Sequence, residues 1–340
     1  MPADQKPNNT LPRIGITVGD VAGIGPEIVL KSLSDKTTLQ TCRPVVICDL
    51  NSLRSYPGFE SLSREIEFVD LANLSTEVRV GEESADTGRA SGEFIVKAVE
   101  LWRDGKIDAI ATAPISKKAL NAGGYNFPGH TEFLAKLTGT DEFAMSFFAD
   151  KLRVVLLSTH LSLIDAIRQV TTDNLVRLIA FSNEQLERLL HRRVRIAVAG
   201  LNPHASENGM FGSEEAEQIS PAIEHCRESL GLDVSGPYSP DTIFLRGFRG
   251  EFDAVIACYH DQATIAVKSL SFGSAVNVTL GLPLIRTSVD HGTALDIAGK
   301  GIADASSMSA AIRLAAELAS IQKRSHAIGS RGGTQAGIVR

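Results

Sequence analysis

The chain has 340 residues, of which 43% are hydrophobic and 22% charged, enough apolar material for one large or two medium domains. A net charge of -6, without an RNA-binding signature, zinc-finger spacing or basic-aromatic stripe, argues against nucleic acid as a partner. The polar start "MPADQKPNNTLPR" is not a secretory signal and no apolar run approaches membrane-spanning length, so we expect a cytoplasmic protein.

Short β-branched runs alternate with longer amphipathic segments, which predicts an α/β fold with a largely parallel sheet. One helix is predicted within "TGRASGEFIVKAVELWRDGK", with Gly105 as its stop, and others from about Thr172 to Leu190 and from about Ser306 to Arg324. The end "GSRGGTQAGIVR" is typical of a flexible tail. The predicted strands are, in chain order, "RIGITV", "PVVIC", "IDAIAT", "LRVVLLS", "VRIAVA" and "DAVIAC".

The cysteines contain no C-x-x-C pair and lie mostly in or beside apolar runs. This pattern predicts buried, reduced thiols rather than a disulfide framework or a zinc knot. The four are Cys42, Cys48, Cys226 and Cys258.

The first glycine-rich turn lies in "GITVGDVAGIGPEIVLKSL", where a strand, a turn and a helix follow one another. Pro26 and Glu27 suit the first turn of that helix. The third glycine position of the dinucleotide fingerprint holds Ile28, so the motif does not match. A ligand loop and a simple tight turn both remain open here.

The segment "YNFPGHTEFLAKLTG" places Gly129, His130 and Thr131 just ahead of a helix. Backbone N–H groups, an imidazole and a hydroxyl at a helix N-terminus form a natural phosphate site. The alternative is that Thr131 caps the helix and His130 is solvated.

Three predicted strands each run into a histidine: "LRVVLLSTH" into His160, "VRIAVAGLNPH" into His204 and "DAVIACYH" into His260. In open parallel sheets the ligand crevice lies beyond the carboxyl ends of the strands. Three imidazoles in this setting favour a divalent metal site, while a single such histidine is more often a satisfied polar residue. Candidate partners that would fix the imidazole tautomers are Asp261, Asn202 and Glu207.

Arg286 interrupts the apolar strand "LPLIRTSV", where an unpaired guanidinium would be costly. An anionic partner is therefore expected, either a protein carboxylate or a substrate phosphate. The following segment, "VDHGTALDIAGKGIAD", mixes glycines and small residues with His291 and Asp296. It suits either a nucleotide-wrapping loop or a long connection with tight turns.

Together these segments resemble the 4-hydroxythreonine-4-phosphate dehydrogenase family and its relatives that act on four-carbon phosphorylated sugar acids. The resemblance covers most of the chain and rests on "ITVGDVAGIGPE", "PGHTEFLA", "STHLSL", "GLNPHASENGMFGSEE", "YHDQ" and "VNVTLGLPLIRTSVDHGTALDIAGKG". Two of these segments also look like the end segments of the isocitrate and isopropylmalate dehydrogenases. Val21 departs from the family pattern, which usually has proline there.

The resemblance implies roles for particular residues. His160, His204 and His260 would bind one divalent metal ion (Zn, Mg, Co or Mn). The general base is not identified, with Asp241 and Lys268 as candidates, and Lys117 is a further candidate phosphate contact. The residues implied for substrate and its phosphate are His130, Thr131, Lys268, Asn277 and Arg286. Those implied for NAD or NADP are His291, Gly292, Thr293, Ala294 and Asp296.

The resemblance also implies a three-layer α/β/α fold of the isocitrate and isopropylmalate dehydrogenase type. Its cofactor-side subdomain would comprise residues 1–135 with 288–330, its metal and dimerisation subdomain residues 136–287, and its flexible tail residues 331–340. A homodimer is implied, with the active site at the subunit contact and metal ligands drawn from both chains.

The implied reaction is oxidation of 4-phosphooxy-L-threonine at C3 by NAD(P), followed by decarboxylation to 3-amino-2-oxopropyl phosphate, in pyridoxal 5'-phosphate biosynthesis. The alternative substrates are 4-phospho-D-threonate and 4-phospho-D-erythronate, which differ at C2. Two other classes stay open: a catalytically silent phosphosugar-binding regulator, and a metal-dependent isomerase or aldolase without a nicotinamide.

Overall fold

The structure is a computed structural model and describes residues 11–75, 77–271 and 273–332. Among these residues, no helix combines the length and the apolar character that a membrane crossing needs. The strands are β1 (Arg13–Thr17), β2 (Arg43–Cys48), β3 (Glu67–Asp70), β4 (Ala109–Thr112), β5 (Ala144–Ala149), β6 (Leu152–Leu156), β7 (Ile196–Ala199), β8 (Val234–Tyr238), β9 (Ala254–Ala257), β10 (Val276–Leu280) and β11 (Ile285–Ser288).

Helices alternate with these strands along the chain, as the sequence predicts. A short 3-10 turn covers Leu50–Ser52, a turn with non-helical backbone covers Pro203–Glu207, and a π turn covers Glu215–Ile219. The α-helices are α1 (Gly25–Ser34), α2 (Lys36–Leu39), α3 (Phe59–Glu65), α4 (Ala85–Arg103), α5 (Lys117–Ala122), α6 (His130–Thr138), α7 (Leu163–Arg168), α8 (Thr172–Leu190), α9 (Ser220–Glu228), α10 (Pro240–Phe248), α11 (His260–Leu270) and α12 (Ser306–Gly332).

The predicted strands and long helices are confirmed, with ends that differ by a few residues. Gly105 follows α4 with a φ of 66°, a left-handed conformation that suits a helix stop. The last helix does not end near Arg324 but continues to Gly332. Residues 331 and 332 of the predicted tail are therefore helical, and residues 333–340 lie outside the described residues. All four cysteines are buried and free, as expected.

The chain divides into two compact units. The first lies within residues 1–141 and 282–340, and the second within residues 142–281. The predicted boundaries stood at 135/136 and 287/288. The observed division assigns β11, and Arg286 with it, to the first unit rather than to the unit of the three histidines.

In the first unit, five strands pair in the order β3-β2-β1-β4-β11, and all four pairings are parallel. Successive residues of β4 and β11 are all buried. Because side chains alternate between the two faces of a strand, helices must cover both faces of this sheet. Helices α4 and α12 both pack on β1, which completes a layered α/β arrangement.

In the second unit, six strands pair in the order β10-β5-β6-β9-β7-β8. The pairings of β5 with β10 and with β6 are antiparallel, so this sheet is mixed. Strands β6, β9 and β7 are neighbours and parallel, and their carboxyl ends therefore share one edge. Phe147, Phe244 and Val255 belong to the core of this unit.

Candidate functional site

The N-terminus of α6 forms a concentrated polar region in the first unit. His130 is the first residue of the helix, Gly129 is its N-cap, and the helix has no side-chain cap. Thr131 therefore does not cap the helix, contrary to the alternative considered above. Phe133 on the buried face of α6 stacks on Phe127 with ring centroids 4.5 Å apart, which fixes the approach to the helix. The leading N–H groups and the dipole of a helix N-terminus suit an anion.

Arg286 enters the same neighbourhood from β11. Arg286 is 4% exposed, and its guanidinium donates hydrogen bonds from Nε and Nη2 to Thr112 Oγ1, at 3.3 and 3.0 Å. Burial lowers the pKa of Arg286 to about 10, although the negative charge of Glu132 acts in the opposite direction. The guanidinium thus stays cationic at neutral pH. Its bonds to Thr112 reach a neutral hydroxyl, so the predicted anionic partner, a protein carboxylate or a substrate phosphate, stays a prediction.

The surroundings of His130 change the pKa of its imidazole. Burial lowers its pKa well below the ordinary value, and the positive charge of Arg286 lowers it further. His130 Nε2 is buried without a hydrogen-bond partner among the described residues. The neutral imidazole and the cationic guanidinium together suit a negatively charged ligand. Lys117 adds a third basic side chain, since its Cε lies 3.8 Å from the place that a Cβ on Gly129 would take.

We expect His130 to make the protein less stable in mild acid. An unfolded chain binds this proton near pH 6.5, whereas the folded chain holds the pKa lower. The contribution of His130 to the free energy of unfolding is therefore constant above about pH 6.5. As the pH drops from 6.5 towards the pKa of the folded state, the free energy of unfolding falls by at most about 1.4 kcal/mol per pH unit. Urea unfolding from roughly pH 5 to pH 7.5 should show this slope reduced in His130→Asn. The exposed His225 supplies a control as His225→Asn, and an unreduced slope in His130→Asn would contradict the assignment.

The loop predicted to hold the nicotinamide cofactor packs against the first glycine-rich turn. Thr293 O accepts a hydrogen bond from Ile24 N at 2.9 Å, and a Cβ on Gly23 would lie 2.8 Å from that oxygen. Ala294 adopts a φ of 41°, so the loop reverses tightly there. His291 Nε2 is buried without a hydrogen-bond partner among the described residues, while its Nδ1 lies 3.1 Å from Gly292 O. Gly292 and Asp296 are exposed on the same loop.

Glu27, in the first turn of α1, holds the chain that follows the predicted cofactor loop. Its Oε1 accepts hydrogen bonds from Ala303 N and Lys31 Nζ, both at 2.8 Å. A cavity of about 740 Å³ lies beside it, lined partly by Tyr56 and Lys300. Backbone contacts and an adjacent cavity of this size fit a nucleotide-sized ligand.

In the second unit, the three histidines follow the neighbouring strands β6, β9 and β7, as predicted. The rings of His160 and His260 lie side by side, with centroids 5.8 Å apart. His204 is exposed on the Pro203–Glu207 turn after β7. Within the described part of the chain, no group of three or more His, Cys, Asp or Glu side chains is placed to hold one ion. One chain thus brings together two of the three predicted imidazoles.

The predicted partners of these imidazoles behave differently from one another. Asp261 Oδ1 lies 2.7 Å from His260 Nδ1, which leaves His260 Nε2 as the ring nitrogen for a ligand. Asn202 instead donates from Nδ2 to the carboxylates of Glu214 and Glu215, at 2.8 and 2.9 Å. Glu207 is exposed. The donor set at His160 and His260 fits a divalent metal that prefers nitrogen ligands.

The remaining predicted site residues also lie in the second unit. Lys268 is exposed on α11, and Asn277 is half-buried on β10. Asp241 is exposed in the first turn of α10, where it accepts a hydrogen bond from Ser239. The role of Asp241 or Lys268 as a base stays a prediction.

Sequence reasoning missed three residues that support these groups. Thr112 accepts the Arg286 hydrogen bonds, and the buried Gln262 joins Cys258 N to Gly200 O at 2.7 and 2.8 Å. Glu215 accepts hydrogen bonds from the loop that carries His204. Glu215 stands in the acidic run "SEEAEQ", which has the pattern of a solvated helix face. The one available signal was the nearby "GLNPHASENG", rich in residues that favour turns.

A family model described as "Pyridoxal phosphate biosynthetic protein PdxA" matches residues 29–315. A D-threonate 4-phosphate dehydrogenase of Cupriavidus necator is 49% identical over 91% of this chain and 98% of its own length. A 4-hydroxythreonine-4-phosphate dehydrogenase of Desulforapulum autotrophicum is 44% identical over 91% and 96%. The crystal structure of a 4-hydroxythreonine-4-phosphate dehydrogenase from Burkholderia phymatum matches with a TM-score of 0.78 and 47% identity, over 91% and 98% of the two chains.

Proposed function

Because the chain belongs to the PdxA family, which confirms the resemblance seen in the sequence, we propose that it is a metal- and NAD(P)-dependent dehydrogenase of a 4-phosphorylated four-carbon hydroxy acid. D-threonate 4-phosphate is the first candidate for the substrate. The observation that carries this choice is the 49% identity to the Cupriavidus necator enzyme along nearly its whole length. The 47% identity to the Burkholderia phymatum protein supports 4-phosphooxy-L-threonine as the second candidate.

The first unit supplies the phosphate contacts in this proposal. The N–H groups that begin α6 and the Arg286 guanidinium carry positive potential, and Lys117 adds a flexible charge. His130, kept neutral by burial, donates or accepts a hydrogen bond without adding charge. A phosphate oxygen would satisfy the buried Nε2 of His130, which otherwise lacks a partner among the described residues.

The second unit supplies imidazoles for one divalent ion. His260 Nε2 is free to bind it because Asp261 holds Nδ1, and the His160 ring lies beside it. A metal ion held there would lower the pKa of the C3 hydroxyl of the substrate, and a bound nicotinamide would accept the hydride. Oxidation at C3 gives a 3-keto acid, whose carboxylate can depart as carbon dioxide. Dihydroxyacetone phosphate results from D-threonate 4-phosphate, and 3-amino-2-oxopropyl phosphate from the amino substrate.

Comparison of three candidate substrates tests the proposal. Purified protein is given the same metal and NAD or NADP with D-threonate 4-phosphate, D-erythronate 4-phosphate or 4-phosphooxy-L-threonine, and kcat/KM is measured by NAD(P)H formation together with carbon dioxide release. We expect D-threonate 4-phosphate to be preferred, since a site built for one C2 group leaves polar atoms unpaired with the other. Preference for the amino compound would overturn the choice. Turnover without NAD(P)H would indicate an isomerase or aldolase, and no turnover a silent binding protein.

Gly23→Ala should weaken cofactor binding. The added methyl group would lie 2.8 Å from Thr293 O and 2.9 Å from Thr293 Cβ, so the loop of His291–Asp296 must shift. We expect at least about a tenfold higher Kd for NAD or NADP, because a misplaced loop loses several weak contacts together, each tenfold being about 1.4 kcal/mol. Titration of cofactor fluorescence gives the Kd, and thermal unfolding gives the stability. An unchanged Kd would contradict the placement of the cofactor at this loop.

We also propose a homodimer, in which a second copy completes the metal site. Leu163, Ile164 and Ile167 form one exposed face of α7, at 58%, 66% and 39% exposure, shortly after His160. A second copy that covers this stripe would remove apolar surface from water close to His160, a predicted metal ligand. This arrangement accounts for a single chain that brings only two of the three imidazoles together.

Ile164→Asp should produce a monomer with little activity. A charge in the covered stripe must be desolvated or left unpaired, so association weakens by about 2 kcal/mol or more. Sedimentation velocity at several concentrations reports the oligomeric state, and activity is followed in the same samples. The control is Ile302→Asp, since Ile302 is equally exposed at 66% but belongs to the first unit. A fully active monomer would contradict the shared site.

A further inference from the structure

The turn that carries His204 has an unusual backbone. Five consecutive residues with a side-chain Cβ have positive φ: 52° at His204, 52° at Ala205, 70° at Ser206, 44° at Glu207 and 56° at Asn208. L-residues disfavour this left-handed region, so such a run persists only where the surroundings hold it. The neighbours of the turn must therefore supply the interactions that maintain it.

The buried carboxylate of Glu215 supplies them. Its Oε1 accepts hydrogen bonds from Leu201 N and Asn202 N, both at 2.7 Å. Its Oε2 accepts one from Asn202 Nδ2 at 2.9 Å and another from Ser206 Oγ. Asn202 and Ser206 stand two residues before and two residues after His204. One carboxylate thus ties down the chain on both sides of the predicted ligand.

Local structure brings Glu215 into this position. It is 3% exposed and begins the π turn Glu215–Ile219 that precedes α9. A π turn contains an extra residue relative to an α-helix and so rotates the side chains before it. Gly200 permits the close approach, since a Cβ there would lie 3.0 Å from Ala205 Cα and 3.2 Å from Glu215 Oε1.

We propose that Glu215 is a positioning residue that holds the Pro203–Glu207 turn in the conformation presenting His204 to the metal. The inference rests on the proposed function only through the role of His204 as a ligand. Glutamine at 215 keeps one oxygen acceptor for the two backbone N–H groups but replaces the other with an NH2 group. That group cannot accept the hydrogen bonds from Asn202 and Ser206. The flanks of His204 are then released while the core of the unit is retained.

The test measures metal affinity rather than turnover alone. Metal-free full-length protein is titrated with Co²⁺ against a chromophoric chelator, and the cobalt absorption spectrum is recorded for the wild type, Glu215→Gln, Glu214→Gln and His204→Ala. We expect a roughly 10- to 100-fold loss of Co²⁺ affinity in Glu215→Gln. The matched control Glu214→Gln should stay within about twofold, since Glu214 bonds the Asn202 side chain but neither backbone N–H nor Ser206. In Glu215→Gln, kcat should recover at saturating metal.

Two outcomes would overturn the inference. Wild-type Co²⁺ affinity in Glu215→Gln, together with a loss in His204→Ala, refutes the positioning role and leaves the metal site intact. Wild-type Co²⁺ affinity in His204→Ala would show that His204 is not a metal ligand. That result would refute both the metal assignment and this inference. If Glu215→Gln does not fold, Ser206→Ala removes the hydroxyl that contacts both Glu215 and Gly212 O, and it keeps the carboxylate. It should then lose about threefold to tenfold in Co²⁺ affinity, and an unchanged affinity counts against the proposal.

Discussion

Replacement of His260 by alanine is expected to lower kcat by on the order of 10³-fold. An ion that stabilises developing charge contributes several kcal/mol to the transition state, and each 1.4 kcal/mol is about a factor of ten. His260 combines two features that favour a ligand: its Nδ1 is held by Asp261 at 2.7 Å, and its ring lies 5.8 Å from that of His160. Removing the imidazole should therefore lower both metal content and turnover.

The fold should tolerate this change. His260 begins α11 and its side chain is 36% exposed, so it contributes little to the core. The measurements are metal content by elemental analysis, kcat over a metal titration, and the thermal unfolding midpoint. His225→Ala is the matched control, because His225 is also a histidine on a helix of the second unit and is exposed. Wild-type metal content and turnover in His260→Ala would contradict the metal assignment.

Strands flanked by clear turns and long amphipathic helices could be predicted from the sequence. Helix α8 begins and ends where the apolar spacing predicts, because its buried face repeats over 19 residues. Strands β3, β5, β8 and β10 were missed. The first has only four residues, and β8 contains Gly236 and Pro237, which weigh against a strand. Their positions depend on pairing with distant strands, which local sequence does not encode.

The candidate site likewise has features that the sequence predicts and features that only the fold reveals. Histidines at strand ends could be predicted, because apolar runs that stop at a polar residue mark the ends of buried strands. The left-handed conformation of His204 could not, because its neighbours Ala205 and Ser206 are not residues that favour positive φ. The bond from Arg286 to Thr112 joins strands 174 residues apart in the chain, so only the folded sheet reveals it.

Arg286→Lys is expected to raise KM for the phosphorylated substrate by roughly 30- to 100-fold, with cofactor affinity nearly unchanged. A planar guanidinium presents N–H donors in a fixed fork that can grip an anion in two places, whereas a lysine ammonium presents one point charge on a flexible chain. Loss of a charge-assisted, bidentate contact costs about 2–3 kcal/mol, which corresponds to that range. Initial-rate kinetics with varied substrate, and separate titration of NAD or NADP, give the two quantities.

A structural role for Arg286 makes a different prediction, because Glu132 lies near enough to raise its pKa. If the guanidinium served only the protein, Arg286→Lys would lower the unfolding midpoint and leave KM unchanged. Thr112→Val separates the two roles: it removes the acceptor at 3.0 Å but keeps the guanidinium, so it should cost stability by about 1–3 kcal/mol. Its effect on KM should be much smaller than that of Arg286→Lys. Equal KM values for the wild type and Arg286→Lys would therefore assign this arginine to the β4–β11 core instead of the phosphate.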